Sequence, residues 1–367
     1  KEPLVIPLLN KKGNLENVAS RNNYPLKIKN NFYTQAKAPV RISFGGGGSD
    51  LTHYFDKENG AVINTAISIY SHATLRKRYD KKINIFSADL NETLNADNLV
   101  EALDIKGRFG LIQSVLKLVN PEYGFDLSIY SDFPMKSGLG GSATIASAIL
   151  ECFNQYKNFP WNKYEMSELA FQAERLYLGV AGGWQDQYAS VFGGFNFLEF
   201  KKDQNVIHPL KIQKDVLLQL EESLILFDTG IAHESGDIHS DQKNEMQNKD
   251  IVDLVKSNVE LCYKIRNQLL RGHVKDFGLS LNEAWHAKRK FSPKISSPKL
   301  DKIYNNAIKN GALGGKLLGA GGGGFFLFYV EPKNRFKLIS HLKKSGLNQK
   351  KFRFEHEGVL GWKIKDD

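Results

Sequence analysis

The sequence predicts a two-domain protein that mixes helices and strands, and three observations carry the prediction. At 367 residues the chain is long enough to bury two cores. Its first half alternates short apolar strands with turns and then enters helix. Its second half is dominated by long helical patterns set around apolar strands. Three glycine-rich stretches, at 45–48, 138–141 and 319–324, fall where the backbone must turn or let something bulky approach.

Taken in order, Lys1 to Phe32 reads as an appendage: a short strand at Leu4 to Leu9, a turn at Lys12-Gly13-Asn14, then a polar remainder without an assigned chemical role. Lys37 to Phe44 is a strand of alternating apolar residues that carries Arg41 and ends in Gly45-Gly46-Gly47-Gly48-Ser49-Asp50. Asp50 there can accept hydrogen bonds from hydroxyls. Strands follow at Gly60 to Tyr70, Ala73 to Arg78 and Ile83 to Ser87.

A strand from Gly124 to Tyr130 runs into Pro134-Met135-Lys136-Ser137-Gly138-Leu139-Gly140-Gly141-Ser142-Ala143-Thr144, and a helix from Ser142 to Phe153 runs out of it. Free N–H groups and the positive end of a helix dipole make such a start an anion site, most naturally for phosphate. Ser142 and Thr144 stand at its mouth, able to cap the helix or to touch a metal ion. Neither common phosphate motif fits. A Walker A loop needs glycine where Met135 stands. A dinucleotide turn should start at the strand end, yet six residues intervene, and the chain enters another helix after Phe159 instead of a second strand.

Asn162 to Leu178 is a helix with Glu174 near its end, a position that by itself favours a solvated surface acid. Next, Asp186 lies between Gln185 and Gln187 in a glycine and aromatic setting, which makes it the best general-base candidate. A strand at Ser223 to Asp228 precedes helical patterns at Asp241 to Leu270, Val274 to Arg289 and Pro298 to Lys309. The basic run His286-Ala287-Lys288-Arg289-Lys290 is a candidate for a distal substrate phosphate, with a solvated helix end favoured over it. Gly319-x-Gly321-x-x-Gly324 spells a dinucleotide pattern, but the strand Phe325 to Val330 follows where a helix should. The loop suits a flap closing over a ligand.

Composition excludes several classes. Hydrophobic residues make up 41% and charged residues 25%, ordinary for a globular protein, and no apolar run approaches a membrane span. The charge of +10 is spread over helix faces without a basic-aromatic stripe, so nucleic acid is a poor partner and a phosphorylated small molecule a good one. Lys1 to Leu9 lacks a signal-peptide pattern, and two cysteines, Cys152 and Cys262, point to buried thiols in a reducing compartment; the expected location is cytoplasmic.

The three glycine segments in this order resemble the GHMP kinases. Ala38-Pro39-Val40-Arg41 with Asp50 resembles the first family motif, Pro134 to Ala143 the second, and Leu318 to Gly324 the third. Arg41 to Phe44 with its glycines and Asp50, Gly182 to Ala189, Phe192 to Phe197 and Gly314 to Gly321 are most similar to the D-glycero-D-manno-heptose 7-phosphate kinases, and fucokinase-type domains share some of them. Two departures stand out: Gly141 replaces the usual Ser, and His233-Glu234-Ser235 follows Thr229-Gly230 where relatives commonly carry an Arg.

The resemblance implies an α+β fold. An N-terminal ATP-binding domain, 34–205, contains a left-handed crossover, and a ferredoxin-like C-terminal domain spans 206–367, with residues 1–33 outside both. It implies ATP and Mg²⁺ as cofactors, a sugar or sugar phosphate as partner, and an oligomeric state left open, a homodimer included. ATP is expected on Pro134, Lys136, Ser137, Gly138, Leu139, Gly140, Gly141, Ser142 and Ala143, and the metal on Ser142 and Glu174. The sugar is expected on Gly46, Gly47, Ser49, Asp50, Gly183, Gln185, Gly321 and Gly322. Asp186 is the expected base, held ionised by Arg41. The expected reaction phosphorylates the heptose 7-phosphate at its anomeric C1 hydroxyl; the alternatives are a kinase of an unphosphorylated sugar and a non-catalytic sensor. Retention of Arg41, Asp50, Glu174 and Asp186 argues against the sensor.

Overall fold

The structure, a computed structural model, describes residues 5–11, 13, 15–20, 32–231 and 235–366. His233 and Glu234, singled out above, lie outside the described residues, as do Lys12 and Asn14 of the expected turn. In chain order the elements begin with β1 (Val5–Leu9), β2 (Leu15–Ser20), β3 (Phe32–Gly45), α1 (Thr52–Phe55), β4 (Gly60–Lys77), β5 (Ile83–Ser87), β6 (Glu92–Ala96), α2 (Leu99–Asp104), α3 (Gly110–Val119) and β7 (Phe125–Ser131). They continue with α4 (Gly141–Asn154), α5 (Lys163–Gln172), α6 (Gln185–Phe192), β8 (Phe195–Lys201), β9 (Gln204–Pro209), α7 (Lys214–Ser223), β10 (Leu224–Asp228), α8 (Ser235–Glu245) and α9 (Lys249–Leu270). The remainder is α10 (Val274–Lys288), α11 (Pro298–Lys309), β11 (Ala312–Leu317), β12 (Phe325–Val330), α12 (Pro332–Lys344), β13 (Asn348–Lys350) and β14 (Leu360–Lys365).

The larger sheet runs β14-β3-β4-β7-β5-β6, with β8 pairing β4 and β9. Its pairs are antiparallel except β5 with β7, whose connection passes through β6, α2 and α3. The two strands expected at Gly60 to Tyr70 and Ala73 to Arg78 are one, β4. Ser71 and His72 bring no Gly, Pro, Asn or Asp to turn the chain, so the pleat continues through them, pairing β8 at one end and β7 at the other. β1 and β2 form a separate antiparallel hairpin; β2 falls in the stretch taken as polar remainder, and pairing with β1 supplies what its local sequence does not signal.

The smaller sheet has the order β11-β12-β10-β13 and is antiparallel throughout. With α8 to α11 between its first two strands and α12 before its last, it has the strand order and βαββαβ plan of a ferredoxin-like domain. β9 and β14, beyond residue 205 in whole or in large part, are strands of the larger sheet.

Side-chain alternation decides what faces what. On β3, Val40, Ile42 and Phe44 pack with Leu226, Phe277, Leu281 and Leu327 of the second half. Successive strand residues point to opposite faces, so Arg41 and Ser43 are turned away from that core. On the far side, α4 buries Ala146, Ile149, Leu150 and Phe153 with Leu75, Ile85 and Leu127 of the sheet. The expected helix at Asp241 to Leu270 is two, α8 and α9, broken where Asn248 accepts from the N–H of Asp250 and caps the second. The helix expected to run to Leu178 ends its regular turns at Gln172, and Ala173–Tyr177 is a π-helical turn that carries Glu174.

Candidate active site

The phosphate-loop segment turns into α4 at Gly140, whose left-handed backbone (φ 79°, ψ 32°) takes the N-cap position. No side chain caps this helix, so its first N–H groups face the cleft as an anion site. Thr144 is turned inward, its hydroxyl held by Ser71 Oγ and Gly141 O at 2.8 Å each, and so leaves the mouth to the exposed Ser142. A Cβ on Gly140 would lie 3.0 Å from Asp186 Oδ2. Glycine there lets α6 bring Asp186 against the loop.

Asp186, in the first turn of α6, pairs with Arg41 of β3: Nε donates to Oδ1 at 2.8 Å. Arg41 Nη1 also donates to Gly138 O at 2.8 Å, tying strand, phosphate loop and α6 together. The C-terminal glycine loop closes on the same point. A Cβ on Gly319 would sit 2.6 Å from Gly138 Cα, and one on Gly324 would overlap Ser137 O. Both glycines have positive φ, 68° and 87°, and Thr229 holds the loop by donating N–H and Oγ1–H to Gly324 O.

Two cavities meet at Arg41 and Asp186. The larger, about 350 Å³, is lined by Ser137, Gly138, Gly140, Gly141, Ser142 and Glu174, with Asp89, Leu90 and Arg108 on its far wall. The smaller, about 30 Å³, is lined by Gly47, Asp50, Gly183, Gln185, Gln242 and Lys288. That is room for a water or two, not for a sugar ring. His239, Gly319 and Ala320 border both.

Asp50 Oδ1 accepts from Gly48 N–H, and Oδ2 accepts from the Gln185 N–H and Nε2–H at 3.3 and 3.2 Å. Burial, then the charge of Asp186, pushes its carboxyl upward. Glu174 is buried, not the solvated acid its position suggests. It pairs with Arg175 at 3.0 Å and accepts from Gln187 at 2.8 Å, and burial raises its carboxyl despite the Arg175 charge. Each of its oxygens keeps a second lone pair, Glu174 lines the larger cavity, and with the exposed hydroxyl of Ser142 this oxygen set fits a hard divalent cation that takes its other ligands from phosphate and water. Among the described residues no cluster of three or more His, Cys, Asp or Glu side chains could hold a metal without such help.

Several expected residues stand elsewhere. Ser49 points into the fold, donating to Gly46 O and Ala61 O and accepting from Ala61 N–H. Gly46 lies against Ala61, and Gly321 and Gly322 pack on Ile295, with Gly322 N–H donating to Ile295 O. Leu139 is a core side chain, Ala143 is buried in α4 and Pro134 is exposed, and none of the three lines either cavity. Conversely, His239 and Gln242 reach the site from α8 with no sequence signal beyond being polar. Burial, then the charge of Arg175, pushes His239 down to about 4, so its ring is neutral. Lys288 did carry a signal. It follows Phe277, Leu281 and Ala284 on the buried stripe of α10, where an apolar residue belongs, while His286 and Lys290 of the same run are exposed.

The family models for the GHMP kinases N terminal domain and the GHMP kinases C terminal match residues 110–194 and 265–346. The D-glycero-alpha-D-manno-heptose 7-phosphate kinase of Campylobacter jejuni is 36% identical over 336 residues, 90% of this chain and 99% of that one. This chain belongs to the GHMP kinases. As a GHMP sugar kinase it is a phosphotransferase that uses ATP and an alcohol acceptor. The crystal structure of a D-glycero-D-manno-heptose 1-phosphate kinase from Bacteroides thetaiotaomicron superposes with a TM-score of 0.77 at 30% identity, covering 91% of this GHMP kinase and all of that chain. The galactokinase of Pyrococcus furiosus is 29% identical over 83% of this chain and 90% of its own length. No helix among the described residues is long and apolar enough to cross a membrane.

Proposed function

We propose that this GHMP kinase transfers the γ-phosphoryl group of ATP to the anomeric C1 hydroxyl of D-glycero-D-manno-heptose 7-phosphate, giving the 1,7-bisphosphate. The observation that carries the chemistry is the Arg41–Asp186 ion pair at the junction of the two cavities. The similarity to the Campylobacter jejuni enzyme carries the substrate. ATP occupies the larger cavity, its phosphates on 138–142, and the sugar enters the smaller one with its hydroxyls on Asp50 and Gln185. Residues 34–205 supply most of the ATP-binding domain, with β9 and β14 completing its sheet from beyond that boundary, and the remainder of 206–367 supplies the C-terminal domain.

Phosphoryl transfer needs alignment and charge neutralisation above all. Asp186 accepts the proton of the attacking hydroxyl, and an anomeric hydroxyl is acidic enough for a carboxylate to serve. Arg41 keeps Asp186 ionised until then and places positive charge beside the reacting oxygens. Mg²⁺, which the Ser142 and Glu174 oxygens would hold, supplies neutralisation of the phosphate charge when bound. Since the acceptor cavity is smaller than a sugar, its roof must lift. That roof is α8, a polar helix tied down chiefly by Asp241 to Lys294 and Ser292 and by Gln242 Nε2 to Ala320 O. Two buried thiols without a disulfide, Cys152 and Cys262, suit a cytoplasmic enzyme.

The test is ADP release from ATP–Mg²⁺ over a panel of D-glycero-D-manno-heptose 7-phosphate, the unphosphorylated heptose, D-mannose, L-fucose and D-galactose. Turnover confined to the heptose 7-phosphate is expected. Faster turnover on an unphosphorylated sugar would keep the kinase and discard the phosphate-bearing substrate.

A further inference from the structure

Lys288 is a buried lysine whose charge is disfavoured by burial and met by no carboxylate in direct contact. Its side chain is 6% exposed, and among the described residues no carboxylate stands within ion-pair distance of it. Nζ donates to Gly319 O and, at 3.5 Å, to Leu317 O. An ammonium has three N–H donors, so one remains for the acceptor cavity that Lys288 lines. Burial, then the nearby cations Lys316 and Arg41, disfavours its charge, while the carboxylates of Asp50 and Asp186 across the same cavity favour it from beyond ion-pair contact. Each of these carboxylates is already engaged, Asp186 by Arg41 and Asp50 by the Gly48 and Gln185 donors. A buried charge is costly unless something compensates it. Two backbone carbonyls alone could be served by a neutral side chain, so holding the glycine loop does not explain a lysine here.

The position of the residue says what the missing anion is. Lys288 lines the acceptor cavity and not the nucleotide cavity, which favours an anion on the acceptor over the phosphates of ATP. Gln242 stands in the same cavity. One of its amide N–H groups reaches Ala320 O at 3.4 Å, which leaves the other for a ligand. His239 Nδ1 faces Gln242 Oε1 at 3.2 Å and so carries the proton, leaving Nε2 as an acceptor suited to a hydroxyl.

We infer that Lys288, with the Gln242 amide, forms the subsite for the phosphate monoester that the acceptor sugar already bears, and is therefore the residue that selects a sugar phosphate over a free sugar. The inference rests on the substrate reading above and names the side chain responsible. A dianionic phosphate brings the charge that the lysine lacks, through short, charge-assisted hydrogen bonds. The binding energy is made with a part of the substrate that does not react, so it appears in the affinity for the acceptor more than in the chemical step.

The experiment compares wild type, Lys288→Met and Lys288→Arg with heptose 7-phosphate and with the unphosphorylated heptose at saturating ATP–Mg²⁺. Melting temperature reports folding. Methionine removes the buried charge at similar volume but also the donor to Gly319 O and Leu317 O, so Tm shifts little either way and serves to show that the variant is folded. For Lys288→Met, KM for heptose 7-phosphate rises at least about tenfold, kcat stays within about threefold, and the preference for the phosphorylated sugar collapses, because the free heptose loses little. Lys288→Arg restores part of the preference. An equal loss on both sugars, or a kcat loss with KM unchanged, would overturn the assignment, because the lysine would then serve the transferring group or the loop. An unchanged preference in Lys288→Met would overturn it while leaving the substrate reading intact. A wild type that shows no preference for the phosphorylated sugar fails the substrate reading itself, and the subsite with it.

Discussion

Asp186, in the cleft, and Lys316, buried beside it on β11, illustrate two ways in which a charged side chain is kept inside this fold. Asp186 is held by a guanidinium that also grips the phosphate loop. Replacing it by Asn leaves the Arg41 bond to Gly138 O and the fold, but removes the proton acceptor, so kcat is expected to fall by roughly 10²–10⁴ with the melting temperature little changed. A variant with near-normal turnover would end the base assignment. Lys316 is buried, and desolvation, aided by the charge of Arg41, pushes it down to about 8 from its ordinary 10.5. The folded state thus binds this proton more weakly than the unfolded chain, and wild-type stability gains as pH climbs from about 8 toward 10.5. Lys316→Met is expected to be more stable than wild type at pH 7 by up to roughly 3 kcal/mol, and less so as that window is crossed. Urea unfolding of both proteins at pH 7, 8.5 and 10 measures it; a constant difference would contradict the argument. For Glu174, Glu174→Ala is expected to raise the Mg²⁺ concentration needed for half-maximal rate, and an unchanged requirement would remove it from the metal's surroundings.

At the scale of elements, the two glycine loops work as facing parts. Gly319 and Gly324 bracket the backbone of Ser137 and Gly138 from the other half of the chain, and neither has room for a Cβ. Gly319→Ala adds that clash to the strain of a left-handed backbone, about 1–2 kcal/mol by itself, and is expected to push the loops apart. Calorimetric titration should show weaker ATP binding while circular dichroism keeps its native shape. α8 should behave differently. Because acceptor binding must displace it, its amide exchange is expected to be fast in the free enzyme and to slow when heptose 7-phosphate and a non-hydrolysable ATP analogue are both bound. Exchange unchanged by the ligands would mean that α8 is not the roof that lifts.

The glycine loop before α4, the strand that carries Arg41 and a candidate acid at Asp186 were legible in the sequence because glycine runs, a capable acid and strand periodicity are local signals, whereas their meeting at one place was implied only by the family resemblance. Ile83–Ser87, Pro298–Lys309 and Phe325–Val330 fall where periodicity puts them. What was not legible depends on distant neighbours. Ser49 looked like a ligand group until Ala61 claimed its hydroxyl, Glu174 looked solvated until the π-helical turn carried it inward, and His239 has no mark at all in the sequence.

At the scale of the whole molecule, the two halves share one interior. Val40, Ile42 and Phe44 of β3 pack directly on Leu226, Phe277 and Leu327, so neither half can be separated without exposing apolar surface. A single calorimetric transition is expected, and 34–205 expressed alone should fail to fold. That boundary also divides the β8–β9 hairpin and leaves out β14.

β14 pairs with β3 along Leu360 to Lys365 and Phe32 to Lys37. During biosynthesis the first strand of the sheet must therefore wait for a partner made more than three hundred residues later, an interval on the order of 15–60 s at ribosomal elongation rates. Until then β3 presents an open edge to the crowded cell, the kind of template on which nascent chains join one another. The enzyme should accordingly complete this sheet only once β14 has emerged from the ribosome, and its yield should depend on chaperones that shield that edge until then.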